Sequence, residues 1–326
     1  MKDVAAEAGV DTSLVSRLLS GDETLSVRPE TEARVMEAVR RLGYRRNSAA
    51  RALKTSRTMA LGMVLPDLGN VIYAAIARGA EERASAAGYV LLITSGAASL
   101  RTEVLEDRVD GLLYAIATAA SVPVLNAPGA PPAILINRRE AATGPSVIVD
   151  DQAGVALATN YLISLGHERI AHIAGPQNVD TARRRRRGFV SSMTEHGLEV
   201  LPGYIVEAQF DELGGATAAN ALLVLTPRPT AIVAANAMAA IGAMAAVRTF
   251  GLSVPADISV VGLHDIPQAS YLEPPLTTVR MPLAELGSRS VDMLLGMIDG
   301  APGADVLVTS PPELIVRGSC VPLARS

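Results

Sequence analysis

The sequence predicts an α/β chain in two parts: an all-α helix-turn-helix headpiece, and a two-lobed core of parallel sheets. Three features predict this. Two short helical segments meet at Gly9, a basic segment follows them, and from Met59 compact apolar runs alternate with helical stretches. The 326 residues are enough for two or three folding units with ordinary cores. Apolar residues make up 49% and charged residues 19%, the balance of a globular chain.

Composition narrows the function. With no Trp, three Phe and seven Tyr, the chain lacks the aromatic platforms on which single-stranded bases stack. The single Cys320 offers no internal disulfide, and the four His show no metal-ligand spacing, so neither a metal nor another cofactor is expected. No apolar run has the length and strength of a membrane span, and the start lacks a secretory signal. A cytoplasmic protein without a membrane partner is the expectation. Charge is unevenly placed. Residues 1–57 carry 11 Lys and Arg against 8 Asp and Glu, while the rest carries 18 against 25. Residues 40–57 alone hold seven cations and no acid. A basic arm on an acidic body is the footprint of a polyanion binder.

In the headpiece, residues 2–8 read as a short helix with Val4, Ala5 and Ala8 on one side. Gly9 ends it, since glycine adopts the φ > 0 conformation that a tight turn requires. Asp11 can cap the second helix by accepting from its free N–H groups. There Leu14, Val15, Leu18 and Leu19 form the buried stripe. Ser13, Ser16 and Arg17, with Thr12 beside them, form a small polar face that suits the major groove of a duplex. A third helix, about 29–42, adds Val35, Ala38, Val39 and Leu42 to the same core. Residues 47–56 are too short for an isolated stable helix, so they should order only on docking.

In the core, strands are expected at 61–65, 89–94, 111–116, 122–125, 133–136, 147–149, 170–173, 231–234 and 259–263, with helices at about 71–87 and 100–108. Strands separated by helices call for parallel sheets covered on both faces. The scheme repeats in the second half, hence two similar lobes. Ligands of such sheets sit beyond the carboxyl ends of the strands, and a cleft between lobes is the natural pocket. Of the run Arg183 to Arg187, one side chain is expected to face the cleft and the others solvent.

These residues carry a resemblance. Lys2-Asp3-Val4-Ala5, Ala8-Gly9-Val10, Val15-Ser16-Arg17, Leu42-Gly43-Tyr44 and the stretch Asn47 to Leu53 resemble the lactose-repressor (LacI) family. So do Gly111-Leu112, Leu165-Gly166-His167, Arg185 to Phe189, Pro274 to Thr278 and Leu314 to Arg317, so that nearly the whole chain is covered. The resemblance implies a headpiece at 1–44, a hinge at 45–58 and an effector-binding, periplasmic-binding-protein-like core at 59–326. Its first lobe would take about 59–150 and 280–307, and its second about 151–279 and 308–326.

The resemblance further implies that Thr12, Ser13 and Arg17 read bases and that Ser16 and Asn47 hold phosphates. Ala50 joins this DNA-binding set, and Leu53 wedges between base pairs from a paired hinge. A homodimer on a near-palindromic double-stranded operator follows. The effector pocket would comprise Ile72, Tyr73, Asn137, Asp150, Arg185, Asn236, His264 and Asp265. Asn137, Ala237 and His264 stand where the family often has Asp. The effector is then a sugar or related metabolite, with an anionic or less hydroxylated one favoured by this loss of carboxylates. The function implied is a sequence-specific transcriptional regulator, a repressor by analogy, modulated by a small molecule. The alternative is a ligand-independent or co-repressor-dependent regulator of the same family. An enzyme is not expected, for the sequence has no Walker loop, GxSxG elbow or HExxH. A solute-binding receptor would share the core but lack the basic headpiece.

Overall fold

The computed structural model describes residues 1–20, 22, 24–44, 57–96, 108–115, 129–139 and 144–323. Residues 1–58 and 59–326 form two compact units. The expected strand at 122–125, most of the expected helix at 100–108, and the hinge at 47–56 lie outside the described residues.

In the first unit, α1 (Lys2–Ala8), α2 (Thr12–Ser20) and α3 (Pro29–Arg41) enclose a miniature core. Val4, Val15 and Val35 are fully buried, with Ala5, Ala8 and Ala38 packed among them and Leu18, Leu19, Val39 and Tyr44 around the edge. Gly9 ends α1 at φ 60° and ψ 43°, the left-handed conformation that the turn demands. Pro29 opens α3, where its missing N–H costs nothing. Two expected core residues are displaced outward. Leu42 lies just past the end of α3 and is 44% exposed, and Leu14 is half-buried and outside the cluster. Three short helices enclose a small core, and Val15 fills its centre from α2 with Leu18 and Leu19 beside it.

The second unit holds two six-stranded sheets. The first has the order β11-β5-β4-β3-β1-β2, using β1 (Ala60–Leu65), β2 (Val90–Ser95), β3 (Gly111–Tyr114), β4 (Ala133–Ile136), β5 (Ser146–Ile148) and β11 (Val306–Leu307). All its pairings are parallel. The second has the order β12-β10-β9-β8-β6-β7, from β6 (Ile170–Ala174), β7 (Ile205–Glu207), β8 (Ala231–Ala234), β9 (Ser259–Leu263), β10 (Thr277–Arg280) and β12 (Glu313–Ile315). Here only β12 runs antiparallel, against β10.

Helices α4 (Val71–Ala86) and α9 (Leu283–Ile298) cover the first sheet; α5 (Asp151–Ser164) and α6 (Asp180–Glu195) cover one face of the second, α7 (Glu212–Leu223) and α8 (Ala237–Thr249) the other. The strands of the second sheet show why. In β8, Ala231 and Val233 join the cluster containing Val155, Leu162 and Phe189, while Ile232 and Ala234 join that containing Ala219, Leu222 and Val247. A strand buried on both sides must be apolar at every position, which is why these segments read as continuous rather than alternating runs. The helix pairs touch backbone to backbone. A Cβ on Gly79 of α4 would fall 1.9 Å from Ala284 O of α9, and one on Gly242 of α8 would fall 1.9 Å from Glu212 O of α7. The two lobes thus repeat one packing device.

His172 of β6 is fully buried, donates from Nδ1 to Val233 O (2.9 Å), and stacks on Phe189 with ring centroids 5.0 Å apart. Burial drives its pKa down to about 4, with Arg185 and Arg186 adding to the effect. His264, just beyond β9, is pushed to about 3 by burial and then by Arg185. Both rings are neutral in the folded chain but take a proton near pH 6.5 once unfolded. The unfolded state therefore binds more protons below that pH, and stability is lost as pH falls from about 6.5 toward 4. Urea unfolding followed by circular dichroism should show the core weakening over this window by on the order of 1 kcal/mol per pH unit for each histidine.

Candidate functional site

Helix α2 presents its polar side to solvent. Thr12, Ser13 and Arg17 are exposed and Ser16 half-exposed; Ser13 and Arg17 lie opposite Val15, with Ser16 and Thr12 flanking them. Asp11 accepts from Ser13 N at 2.7 Å and so caps the helix, and the bonds from Ser13 hold its carboxyl below the usual range. Arg17 is engaged: its Nε lies 2.7 Å from Asp22 Oδ2 and its Nη2 3.2 Å from Thr24 Oγ1. Thr24 and then Arg17 pull the Asp22 pKa down to about 2. Asn47, Ala50 and Leu53 lie outside the described residues.

In the second unit the residues just past the carboxyl ends of the strands converge on one cleft. It is lined by Asn70, Ile72, Tyr73, Asn137, Arg138, Thr181, Arg185, Phe210, Asn236 and His264, with Ala115 and Ile136 at its base. Its free volume is about 30 Å³, room for roughly one or two waters. A groove of about 440 Å³, lined by Val71, Arg78, Asp265 and Gln268 among others, adjoins it at Ile72 and His264. Asn70 and Asn236 are the N-caps of α4 and α8, so two helix N-termini and their partial positive charge face the cleft. Asn236 is spent on structure, for its Oδ1 accepts from Ala239 N and its Nδ2 donates to Phe210 O, both at 2.8 Å.

Behind the cleft lies a buried ionic cluster. Asp151, wholly inaccessible, receives Arg184 Nη1 on Oδ2 at 2.6 Å and Arg185 Nε on Oδ1 at 2.7 Å. Burial alone raises a carboxyl pKa, yet the charges of Arg185 and Arg184 outweigh it and the group is held below its ordinary value. Arg184 also donates to Asp180 Oδ2 (2.9 Å) and to Val149 O (2.8 Å). Arg185 donates to Ala235 O (3.0 Å), lies 5.4 Å over the Phe210 ring, and brings Nη2 to 3.3 Å from His264 Nε2. A guanidinium has no acceptor, so Nε2 must accept and the proton of the neutral ring sits on Nδ1. Two of the five consecutive arginines are therefore buried, where one was expected. The i, i+4 pairing of Asp180 with Arg184 anchors the second.

Asn137 and His264 occupy matching places in the two lobes. Each follows a strand, each has positive φ (54° and 71°), and each N–H extends the ladder by one bond, to Val147 O and Val279 O respectively (2.8 Å). Such conformations persist where the surroundings over-determine them, and they cluster at ligand sites. Both side chains keep an unpaired buried atom, Asn137 Oδ1 and His264 Nδ1.

The comparisons with known proteins agree from end to end. Residues 1–47 match the family described as "Bacterial regulatory proteins, lacI family", and residues 159–320 match the "Periplasmic binding protein-like domain". The ribose operon repressor of Escherichia coli (strain K12) is 36% identical over 98% of this chain and 99% of its own length. The chain belongs to the lacI family. The HTH-type transcriptional repressor PurR of Pasteurella multocida (strain Pm70) is 32% identical over 98% of each chain. The crystal structure of the lac repressor dimer bound to operator and the anti-inducer ONPF superposes with a TM-score of 0.83 at 28% identity, covering 98% of both chains. As a lacI-family member the chain is a DNA-binding transcriptional regulator, not an enzyme. Among the described residues no helix is long and apolar enough to cross a membrane, and no three ligating side chains are grouped to hold a metal.

Of this regulator's eight expected effector residues, Ile72, Tyr73, Asn137, Arg185, Asn236 and His264 line the cleft. Asp150 instead caps α5 through Ala153 N (2.9 Å). Asp265 lines the adjoining groove, and its carboxylate is taken by Thr278, Arg280 and Arg317 at 2.7 to 2.8 Å. Missed were Asn70, Arg138, Thr181 and Phe210 in the wall and the Asp151–Arg184 pair behind it. The charge cluster had a signal: two adjacent acids at 150–151 and an arginine run at 183–187 have few ways to be buried other than together. Replacing Asp151 by Asn leaves Arg185 without a carboxylate partner and Arg184 with Asp180 alone. Denaturant unfolding of Asp151→Asn should show a loss of about 3–5 kcal/mol, against less than about 1 kcal/mol for the exposed pair in Arg280→Ala.

Proposed function

We propose that this chain is a ligand-responsive repressor that works in the cytoplasm as a homodimer on a near-palindromic duplex operator. In this reading α2 enters the major groove, Thr12, Ser13 and Arg17 meet base edges, and Ser16 holds a phosphate. Asn47 adds a phosphate contact, with Ala50 beside it in the hinge, and Leu53 of each hinge wedges into the minor groove. A small-molecule effector sits between the core lobes, against Ile72, Tyr73, Asn137, Arg185, Asn236 and His264, with Asp150 and Asp265 at its margins. It acts only through its differential affinity for two lobe arrangements. The similarity to repressors of a ribose operon and to an operator-bound, ligand-bound repressor dimer supports this.

The observation that carries the reading is the small, exposed, polar face of α2 mounted on a closed three-helix core. Bulky groups on that face would hold the helix off the bases; serines, a threonine and one arginine do not. Arg17 starts from an ion pair with Asp22 and exchanges that carboxylate for a guanine or a phosphate on binding.

Selection of bound fragments from a genomic library should return one family of near-palindromic sites. Against such a site Arg17→Ala should lose about 5- to 150-fold in affinity while random duplex is affected less. Asp22→Asn removes a negative charge beside the phosphates. It should tighten binding to selected and random duplex alike and steepen the dependence of log K on log salt. A chain that prefers no duplex over random DNA contradicts the proposal.

A further inference from the structure

The cleft between the lobes is short of negative charge, and this deepens the effector reading just given, on which it rests. Among the described residues no Asp or Glu lines it. The nearby carboxylates are committed elsewhere: Asp151 to Arg184 and Arg185, Asp150 to the start of α5, and Asp265 to Thr278, Arg280 and Arg317. The cations are not matched in the same way. Arg185 is neutralised from behind by Asp151, but Arg138, which also lines the cleft, donates from Nε to Ala115 O at 2.7 Å and meets no carboxylate among the described residues. That bond ties Nε to the residue just past β3, at the wall of the cleft.

Two further atoms complete the pattern. His264 is 1% exposed and offers an Nδ1–H donor with no partner, and Asn137, 8% exposed, offers an Oδ1 acceptor with none. A buried polar atom without a partner is costly, and a ligand that supplies the missing partner recovers that cost. The N-termini capped by Asn70 and Asn236 add partial positive charge from both lobes.

We propose that the effector is an oxyanion-bearing polyol, a sugar phosphate or a sugar acid. Its anionic group binds Arg138, a second acceptor atom takes the Nδ1–H of His264, and a hydroxyl donates to Asn137 Oδ1. A neutral sugar would leave Arg138 without an anionic partner among the described residues, so the cleft selects by charge before it selects by shape. With about 30 Å³ of free space, the lobes must part to admit such a ligand, which links its binding to the lobe arrangement.

Calorimetry on the full chain distinguishes the sources. The probes are ribose and glucose, ribose 5-phosphate and glucose 6-phosphate, and gluconate and glucuronate. At least one anionic probe should bind ten-fold or more tightly than its neutral parent. Arg138→Met should remove that preference, with a melting temperature lowered only by the loss of its bond to Ala115 O, and the double variant Asn137→Asp, His264→Asp should move it toward the neutral parent. If that double variant does not fold, Asn137→Asp alone serves. Neutral sugars binding as well as their anionic derivatives, or no binding by any anionic probe, overturns the inference. Gel shifts on the selected operator keep the two readings apart. Release by a neutral sugar leaves the repressor standing while this inference falls, whereas absence of any duplex preference removes the repressor whatever the calorimeter reports.

Discussion

A single buried carboxylate organises the ligand-sensing half of this molecule. Asp151 opens α5 at a place water does not reach, and it holds Arg184 and Arg185 together on the neighbouring helix α6. A lone ion at that depth would neutralise itself or unfold the chain; three ions with their remaining N–H groups satisfied by Val149, Ala235 and Asp180 do neither. Arg185 is then fixed against Phe210 and His264, and His264 is fixed as a neutral ring with its proton directed away from the guanidinium. What the cleft offers a ligand follows from that chain of contacts. The donors come from Arg138, from His264 and from two helix ends, and among the described residues no carboxylate lines the cleft.

The headpiece rests on a different economy. Its core is six small residues, Val and Ala only, with larger side chains at the rim. A unit of that size keeps little stability in reserve. It can afford an exposed face chosen wholly for the groove of a duplex. The pairing of Arg17 with Asp22 fits this picture, because a surface ion pair is screened by water and is easily exchanged for a stronger partner.

Much of the fold was legible because both faces of its central strands are buried. Runs such as Ile232-Val233-Ala234 and Leu61 to Leu65 are apolar throughout, and Gly9 stands where a left-handed turn ends α1. Four strands were not anticipated: β7, β10, β11 and β12, of two to four residues each. Segments that short carry no period, and β11 and β12 are edge strands that each pair with one partner across a long stretch of chain. In the cleft, Asn137, Arg185, Asn236 and His264 could be placed by position, whereas Asp150, expected beside them, caps α5. One residue of register at the start of a helix turns a side chain by about 100°, enough to make Asp150 a cap and Asp151 the buried ion. Asn70 and Phe210 come from loops whose approach to the cleft depends on packing between sheets, and no local spacing records it.

The most direct test of this account is the protonation of His264. Nitrogen-15 spectra of the full chain labelled in histidine, assigned through His264→Gln, report each ring nitrogen separately. At pH 7 the account predicts a neutral ring protonated on Nδ1 and accepting on Nε2, and this state should persist well below pH 6. An imidazolium at pH 7, or a ring protonated on Nε2, would mean that Arg185 does not stand where Asp151 is said to hold it.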